Sequence, residues 1–151
     1  MSLEAAYEFL ASVELLSLAT SSKDGLPHCA PSFFAVDGRS VFFTTSDQTT
    51  TGKNLLSNPR AAFGEGDAPD PGQTWDDAKG IQIVGNVVHL DGAEADAAAA
   101  ALMAKYSHLG EAIKQSHLFR LDPTRVKYLH NAPDGDEAFE TLGVNWVIEE
   151  F

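Results

Sequence analysis

Cysteine is nearly absent: Cys29 is the only one in 151 residues, so no internal disulfide can form. A free cysteine in an apolar run behaves as a small hydrophobe, so Cys29 is expected to be buried. His28 adjoins it, but neighbours on a strand face opposite sides, so no Cys–His couple is expected. Long apolar runs are also missing. None approaches the ~20 residues of a membrane span. The opening MSLEAAYEF has no basic stretch ahead of an apolar core, so it does not read as a secretory leader, and the cytoplasm is the expected compartment. Positive charge is scarce, with 10 Lys and Arg against 22 Asp and Glu and a net charge of −12. Nucleic acid is thereby disfavoured as a partner, since phosphate backbones need a basic footprint. An anionic membrane surface is disfavoured on the same ground. One phosphate on a small ligand stays within reach of a few convergent donors.

The acidic excess is concentrated. Residues 64–78 hold Glu65, Asp67, Asp70, Asp76 and Asp77, and residues 131–151 hold Asp134, Asp136, Glu137, Glu140, Glu149 and Glu150, with no Lys or Arg in either stretch. The remainder is nearly neutral. At 44% hydrophobic and 21% charged, the composition is that of an ordinary globular protein, and the length suits one domain over residues 1–151.

Periodicity and turn signals give the expected elements. A helix is expected over residues 2–13, capped by Ser2, from the spacing of Leu3, Ala6, Tyr7, Leu10 and Val13. Strands are expected over residues 15–20, 29–36 and 40–45, joined by the hairpin signals Asp24-Gly25 and Asp37-Gly38. A short helix over 52–57 stops at Asn58-Pro59, and strands follow over 60–66 and 80–90, the second with a bulge or bend at Gly85. A helix over 93–106 precedes strands over 117–121 and 125–129, separated by Asp122-Pro123. Residues 131–143 read as loop, and 144–148 as a last strand or a capping segment. Six or seven short strands with tight turns and few helices favour a mainly β fold, an antiparallel barrel that closes or nearly closes to remove exposed edges.

Residues 44–54, TTSDQTTTGKN, leave a strand and enter a helix. The first N–H groups of a helix attract anions, so hydroxyls and Lys53 there could cradle a phosphate; a helix cap in a polar loop is the other reading. The aromatic pairs Phe33-Phe34 and Phe42-Phe43 lie on neighbouring strands, so one ring of each pair can face the core while the other lines a groove or meets a partner. Histidines 28, 89, 108, 117 and 130 show no metal-ligand spacing, and no metal site is expected. No Ser-His-Asp arrangement has a nucleophile elbow. Trp75, in an acidic loop, is open to readings as a surface anchor, a dimer contact or a lid.

Taken in order, these pieces resemble the pyridoxamine 5′-phosphate oxidase-like superfamily of FMN-binding split barrels, most nearly its small bacterial members. The likeness runs from Leu15 to about Leu90 and rests on LLSLAT, GLPHCAPSFFAV, VFFTTSDQTTTGKNLLSNPRAAF and KGIQIVGNVVHL. Its most specific part is T-x-x-x-T-T-x-G-K-N-L-x-x-N-P-R, from Thr45 to Arg60. The resemblance implies a homodimer with FMN sites at the subunit interface. The flavin ring would lie against the backbone of Pro31, Ser32, Phe33 and Phe34 and of Thr44 and Thr45. Its phosphate would be held near Thr49, Thr50, Thr51, Lys53 and Asn54. Lys79, Gly80 and Gln82 would come from the partner subunit.

The departures carry weight. Ala30 stands where the oxidase pattern has an Arg, Thr50 and Thr51 where it has an Arg-Lys pair, and Gly80 where it has a flavin-contacting Gln. Charge-assisted bonds of this kind contribute roughly 1.5–3 kcal/mol each, so weak FMN binding is expected. The ending GVNWVIEEF lacks the Arg and His of the oxidase's substrate motif, so oxidation of pyridoxamine phosphate is not expected. The activity implied is that of an FMN-dependent oxidoreductase or reductase acting on a small molecule, with no catalytic side chain assigned. The alternatives are a non-catalytic binder of flavin, deazaflavin or haem, for which His28, His89 and His130 are the axial candidates, and a protein whose cofactor site has decayed.

Overall fold

The computed structural model describes residues 3–68, 70–73, 77–130, 138–139 and 144–151. The expected cap Ser2, Trp75 and residues 131–137 and 140–143 of the expected loop lie outside them, and residues 138–139 of that loop form a short strand. Helix α1 (Leu3–Ser12) leads into β1 (Leu16–Ser21), β2 (Pro27–Ser32), β3 (Phe34–Asp37) and β4 (Ser40–Thr45). Helix α2 (Thr50–Ser57), β5 (Arg60–Asp67) and β6 (Lys79–Leu90) follow. Helices α3 (Gly92–Lys105) and α4 (Gly110–Lys114) precede β7 (His117–His130), β8 (Ala138–Phe139) and β9 (Val144–Glu150).

All described pairings are antiparallel, and the main path runs β2-β1-β5-β6-β7-β4-β3. Its two edge strands, β2 and β3, are consecutive in the chain and separated by Phe33 alone. A sheet whose opposite edges are joined by one residue must curl until those edges meet. The expected barrel therefore follows from the connection itself. β9 extends the path by pairing with β7 over Arg125–Leu129, beyond the stretch of β7 that pairs with β4.

Two expected boundaries differ. The apolar run 29–36 is two strands, because the chain stops pairing with β1 at Ser32 and starts pairing with β4 at Phe34. The two strands expected around Asp122-Pro123 are one, β7, because the register shifts opposite Val84 and Gly85. Pro123 sits at this irregularity, where its missing N–H is tolerated. The bulge expected at Gly85 is present, and a Cβ there would collide with the Asp122 carbonyl oxygen.

Alternation divides the side chains. Leu16, Leu18, Phe34, Val41, Phe43, Phe63, Ile81, Ile83, Phe119 and Leu121 fill the barrel, and Ala6, Tyr7, Phe9 and Leu10 of α1 join the same cluster. A second cluster lies outside it, where Ala98, Ala99 and Leu102 of α3 and Ile113 of α4 cover Ala35, Phe42, Leu90 and Leu118. Phe42 and Phe43 are consequently both buried, one on each side of β4, so of the readings open to this pair neither ring lines a groove. Cys29 is exposed rather than buried. It lies on edge strand β2 opposite Ala19.

Candidate functional site

Strand β4 ends at Thr45, and the chain turns through residues 46–49 into α2. Thr49 is the cap: its Oγ1 accepts from the Gly52 N–H at 3.0 Å and donates to the Ser46 carbonyl at 2.8 Å. With that proton committed, the Thr45 hydroxyl donates to Thr49 across 2.8 Å. The cap starts the helix at Thr50, two residues ahead of the expected start at Gly52. Gly52 packs so closely on the turn that a Cβ would collide with the Ser46 carbonyl oxygen. Thr49, Thr50 and Lys53 are exposed at this helix start, while Thr51 and Asn54 are buried. The Asn54 amide donates to Thr20 Oγ1 at 3.1 Å and ties α2 to β1.

The β3–β4 pairing begins at Phe34↔Phe43, one residue after Phe33 and one before Thr44. Pro31 is exposed, and Ser32 is buried with its hydroxyl donating to the Phe33 carbonyl at 3.2 Å. Phe34 is buried and Phe33 is 37% exposed, so this aromatic pair divides between core and surface as expected. The Phe33 ring meets Tyr106 edge-on, with centroids 5.0 Å apart. Thr44 Oγ1 donates to the His117 carbonyl at 3.0 Å. Residues 31–34, 44–45 and the start of α2 thus share one region.

Lys79, Gly80 and Gln82 do not reach that region within one chain. Thr20, which holds Asn54, is in register with Ala61, and Ala61 with Gly85. Gln82 and Lys79 lie about 10 and 20 Å beyond Gly85 along β6 at ~3.3 Å per residue, and Gln82 shares its register row with Gly64, Ser17 and Pro31, three strands across the sheet from β2. Gly80 and Gln82 belong to an outward sheet face of small side chains. On it Ser17, Gly64 and Gln82 form one row, Ala19, Ala62 and Val84 the next, and Gly66 stands opposite Gly80. Val84 is 44% exposed on this face.

Two clusters lay beyond sequence reasoning. His117, paired with Thr45, has its Nδ1 3.0 Å from His89 Nε2, and Asp47 Oδ2 stands 3.7 Å from His117 Nε2. The pair borders a cavity of about 490 Å³ lined also by Leu90, Ala99, Met103 and Leu118. The other cluster surrounds Lys105 and Tyr106. The Tyr106 hydroxyl accepts the Phe34 N–H at 3.2 Å and donates to the Glu14 carbonyl at 2.5 Å. The break at Phe33 takes Phe34 away from β1, and Tyr106 supplies a partner for its buried N–H. Burial pushes the Tyr106 hydroxyl's pKa up. Both clusters draw on distant segments, and the sequence carries no spacing signal for either. Among the described residues no group of three His, Cys, Asp or Glu side chains is placed to hold a metal ion, and no helix is long and apolar enough to cross a membrane.

A family model described as pyridoxamine 5′-phosphate oxidase matches residues 2–130. The chain belongs to this family. Solved structures with the same split-barrel fold include a haem-binding protein from Mycobacterium smegmatis, at 24% identity and a TM-score of 0.69 over 79% of this chain and 50% of that one. The chain therefore spans about half the length of that protein. HutZ, the haem storage protein from Vibrio cholerae, matches at 19% identity and a TM-score of 0.69 over 80% of this chain and 89% of its own. The FAD-binding protein from Mycobacterium smegmatis matches at 20% identity and a TM-score of 0.58 over 83% of this chain and 93% of its own. Within the family's fold, relatives thus include binders of haem and of a flavin. Among curated proteins no sequence matches.

Proposed function

We propose that the chain binds FMN between two copies of itself and acts as an FMN-dependent oxidoreductase on a small molecule. The observation that carries this reading is the turn into α2. There Gly52 lets the backbone close on Ser46, and Thr49, Thr50 and Lys53 are exposed at a helix start. A donor set of hydroxyls, one ammonium and helix N–H groups fits a phosphate. Phe33 and the backbone of residues 31–34 and 44–45 offer the adjoining wall for a flat ring. Bound FMN would supply hydride or electron transfer, and the protein would supply position and exclusion of water. Thr51 and Asn54 serve this site by holding α2 in place rather than by touching the ligand.

The homodimer has its own support. The outward rows through Ser17, Ala19, Ala62, Gly64 and Gly80 form a face smooth enough for close approach by a second sheet. The separation of Lys79 and Gln82 from the cradle is what partner-supplied contacts require. Low cationic charge at the cradle implies modest affinity.

A second reading, a haem binder without turnover, is favoured by one observation: His89 and His117 border a cavity of about 490 Å³ with Leu90, Met103 and Leu118 in its lining. Two titrations separate the readings. Flavin fluorescence quenched saturably on adding protein, and weakened in Lys53→Ala, supports FMN. No binding at excess FMN overturns the flavin reading. A haem spectrum that shifts on binding, and reverts in His89→Ala, supports the second. Gel filtration with light scattering tests the dimer.

A further inference from the structure

Lys105 stands at the end of α3 beside a cavity of about 410 Å³ that also takes in Val13, Leu15, Phe33 and Tyr106. Its ammonium donates to the Val13 carbonyl at 2.6 Å and lies 3.5 Å from the centroid of the Phe34 ring. It also lies 5.4 Å from the centroid of the Tyr106 ring, and of its three N–H donors one is committed to a hydrogen bond. Lys105 takes part in no ion pair among the described residues. A half-buried ammonium with no carboxylate in contact is unusual, because desolvation is normally offset by pairing. Burial accordingly pushes its pKa down to about 8, against the upward pull of the Glu14 charge. Val13, Leu15, Phe33 and Tyr106 make the apolar and aromatic walls, and Ser12, Glu14 and His108 complete the lining; Leu15 is 42% exposed, and the Phe33 ring is edge-on to Tyr106. A cation with no carboxylate in contact, beside aromatic walls in a cavity of ligand size, favours a flat apolar body carrying one negative charge.

We propose that this cavity is a binding site for a small aromatic carboxylate, with the carboxylate taken by Lys105 and the ring packed against Phe33, Tyr106 and Leu15. The site does not rest on flavin binding, and its ligand binds whether or not FMN is present. Glu14 also lines the cavity and opposes an anion, which makes it a diagnostic position. An anion on Lys105 adds a counter-charge at contact distance, so binding above neutral pH draws a proton onto the lysine.

The probe is benzoate, titrated calorimetrically into the intact protein, with benzyl alcohol as the neutral control. Benzoate is expected to bind saturably and at least about tenfold more tightly than benzyl alcohol, as one charge-assisted contact provides. Lys105→Met should lose about that factor, while Glu14→Gln should gain about twofold from the removed repulsion. At pH 8.5, titrations in buffers of different ionisation enthalpy should show a fraction of a proton taken up per benzoate. That measurement uses the unaltered protein and stands even where Lys105→Met fails to fold. Equal binding of benzoate and benzyl alcohol, no proton uptake, or no saturation at tens of millimolar benzoate would overturn the proposal.

Discussion

The cradle ahead of α2 is made from one unbroken stretch, residues 44–54, whereas the Lys105 cavity takes Val13–Leu15 from the α1–β1 connection, Phe33 from a strand break and Lys105–Tyr106 from the end of α3. In the cradle the contacts are local: Thr45 to Thr49, Thr49 to Gly52, Thr49 to Ser46. At the cavity they cross the chain, as when Tyr106 joins Phe34 to Glu14. A local site can be weakened without moving the barrel, and a site held by tertiary contacts cannot. Phe33 and Phe34 are common to both: the part-exposed Phe33 ring packs edge-on against Tyr106, and Lys105 lies over the Phe34 ring.

The largest effect is expected at Gly52. In Gly52→Ala the new methyl meets the Ser46 carbonyl, which is backbone and yields poorly. Overpacking of this kind costs about 3 kcal/mol. Chemical denaturation should show that loss, and FMN affinity should fall with it. Benzoate binding measured under native conditions should be unchanged if the two sites are as separate as their contacts indicate.

Tyr106→Phe inverts the comparison. It leaves the buried Phe34 N–H without its acceptor at a cost of about 2 kcal/mol, while the ring and its packing on Phe33 are kept. Both sites should weaken, because Phe33 and Phe34 belong to each. Unchanged affinity for both ligands would show that the strand break is held by something other than Tyr106. Thr49→Ala should be milder. Loss of the cap costs about 1 kcal/mol, read as a lower denaturation midpoint, and only the cradle's ligand should respond.

The same contrast explains what the sequence made legible. The strand-to-helix turn, the Gly85 bulge, α3 and the barrel were readable because turn chemistry and periodicity are local signals. The division at Phe33 was not, since an apolar run looks the same whether it keeps one neighbour or changes to another. The joining of β7 across Pro123 was hidden because Asp-Pro has the chemistry of a turn, and only the register shift on β6 lets a strand continue through it. The cradle's composition was readable, but its division into exposed Thr49, Thr50 and Lys53 and buried Thr51 and Asn54 depended on where β1 lies. Neither the His89–His117 pair nor the Lys105 cavity had any local trace.

The smallest effect is a pH dependence that isolates the cavity. Lys105 has its pKa lowered to about 8 from an ordinary 10.5, chiefly by burial. Between those values the unfolded chain binds more protons at this lysine than the folded one, so stability rises with pH across the window. Below about pH 8 both states are protonated and the penalty is constant. Partial exposure, the Val13 carbonyl and the Phe34 ring all ease the charged form, so the gain is about 1 kcal/mol rather than the full linkage value. Tyr106 and Tyr128 act in the opposite sense: burial raises both, so their contribution is lost as pH climbs through 10 and beyond. The wild-type protein should therefore gain stability from pH 7.5 to about 9.5 and lose it above. Urea denaturation at those pH values should show the rise in wild type and a flat response in Lys105→Met. Saturating benzoate should flatten it too, because a bound anion returns the lysine's pKa toward its unfolded value. A rise that persists in Lys105→Met would assign the titration to another group and leave the cavity without its distinguishing charge.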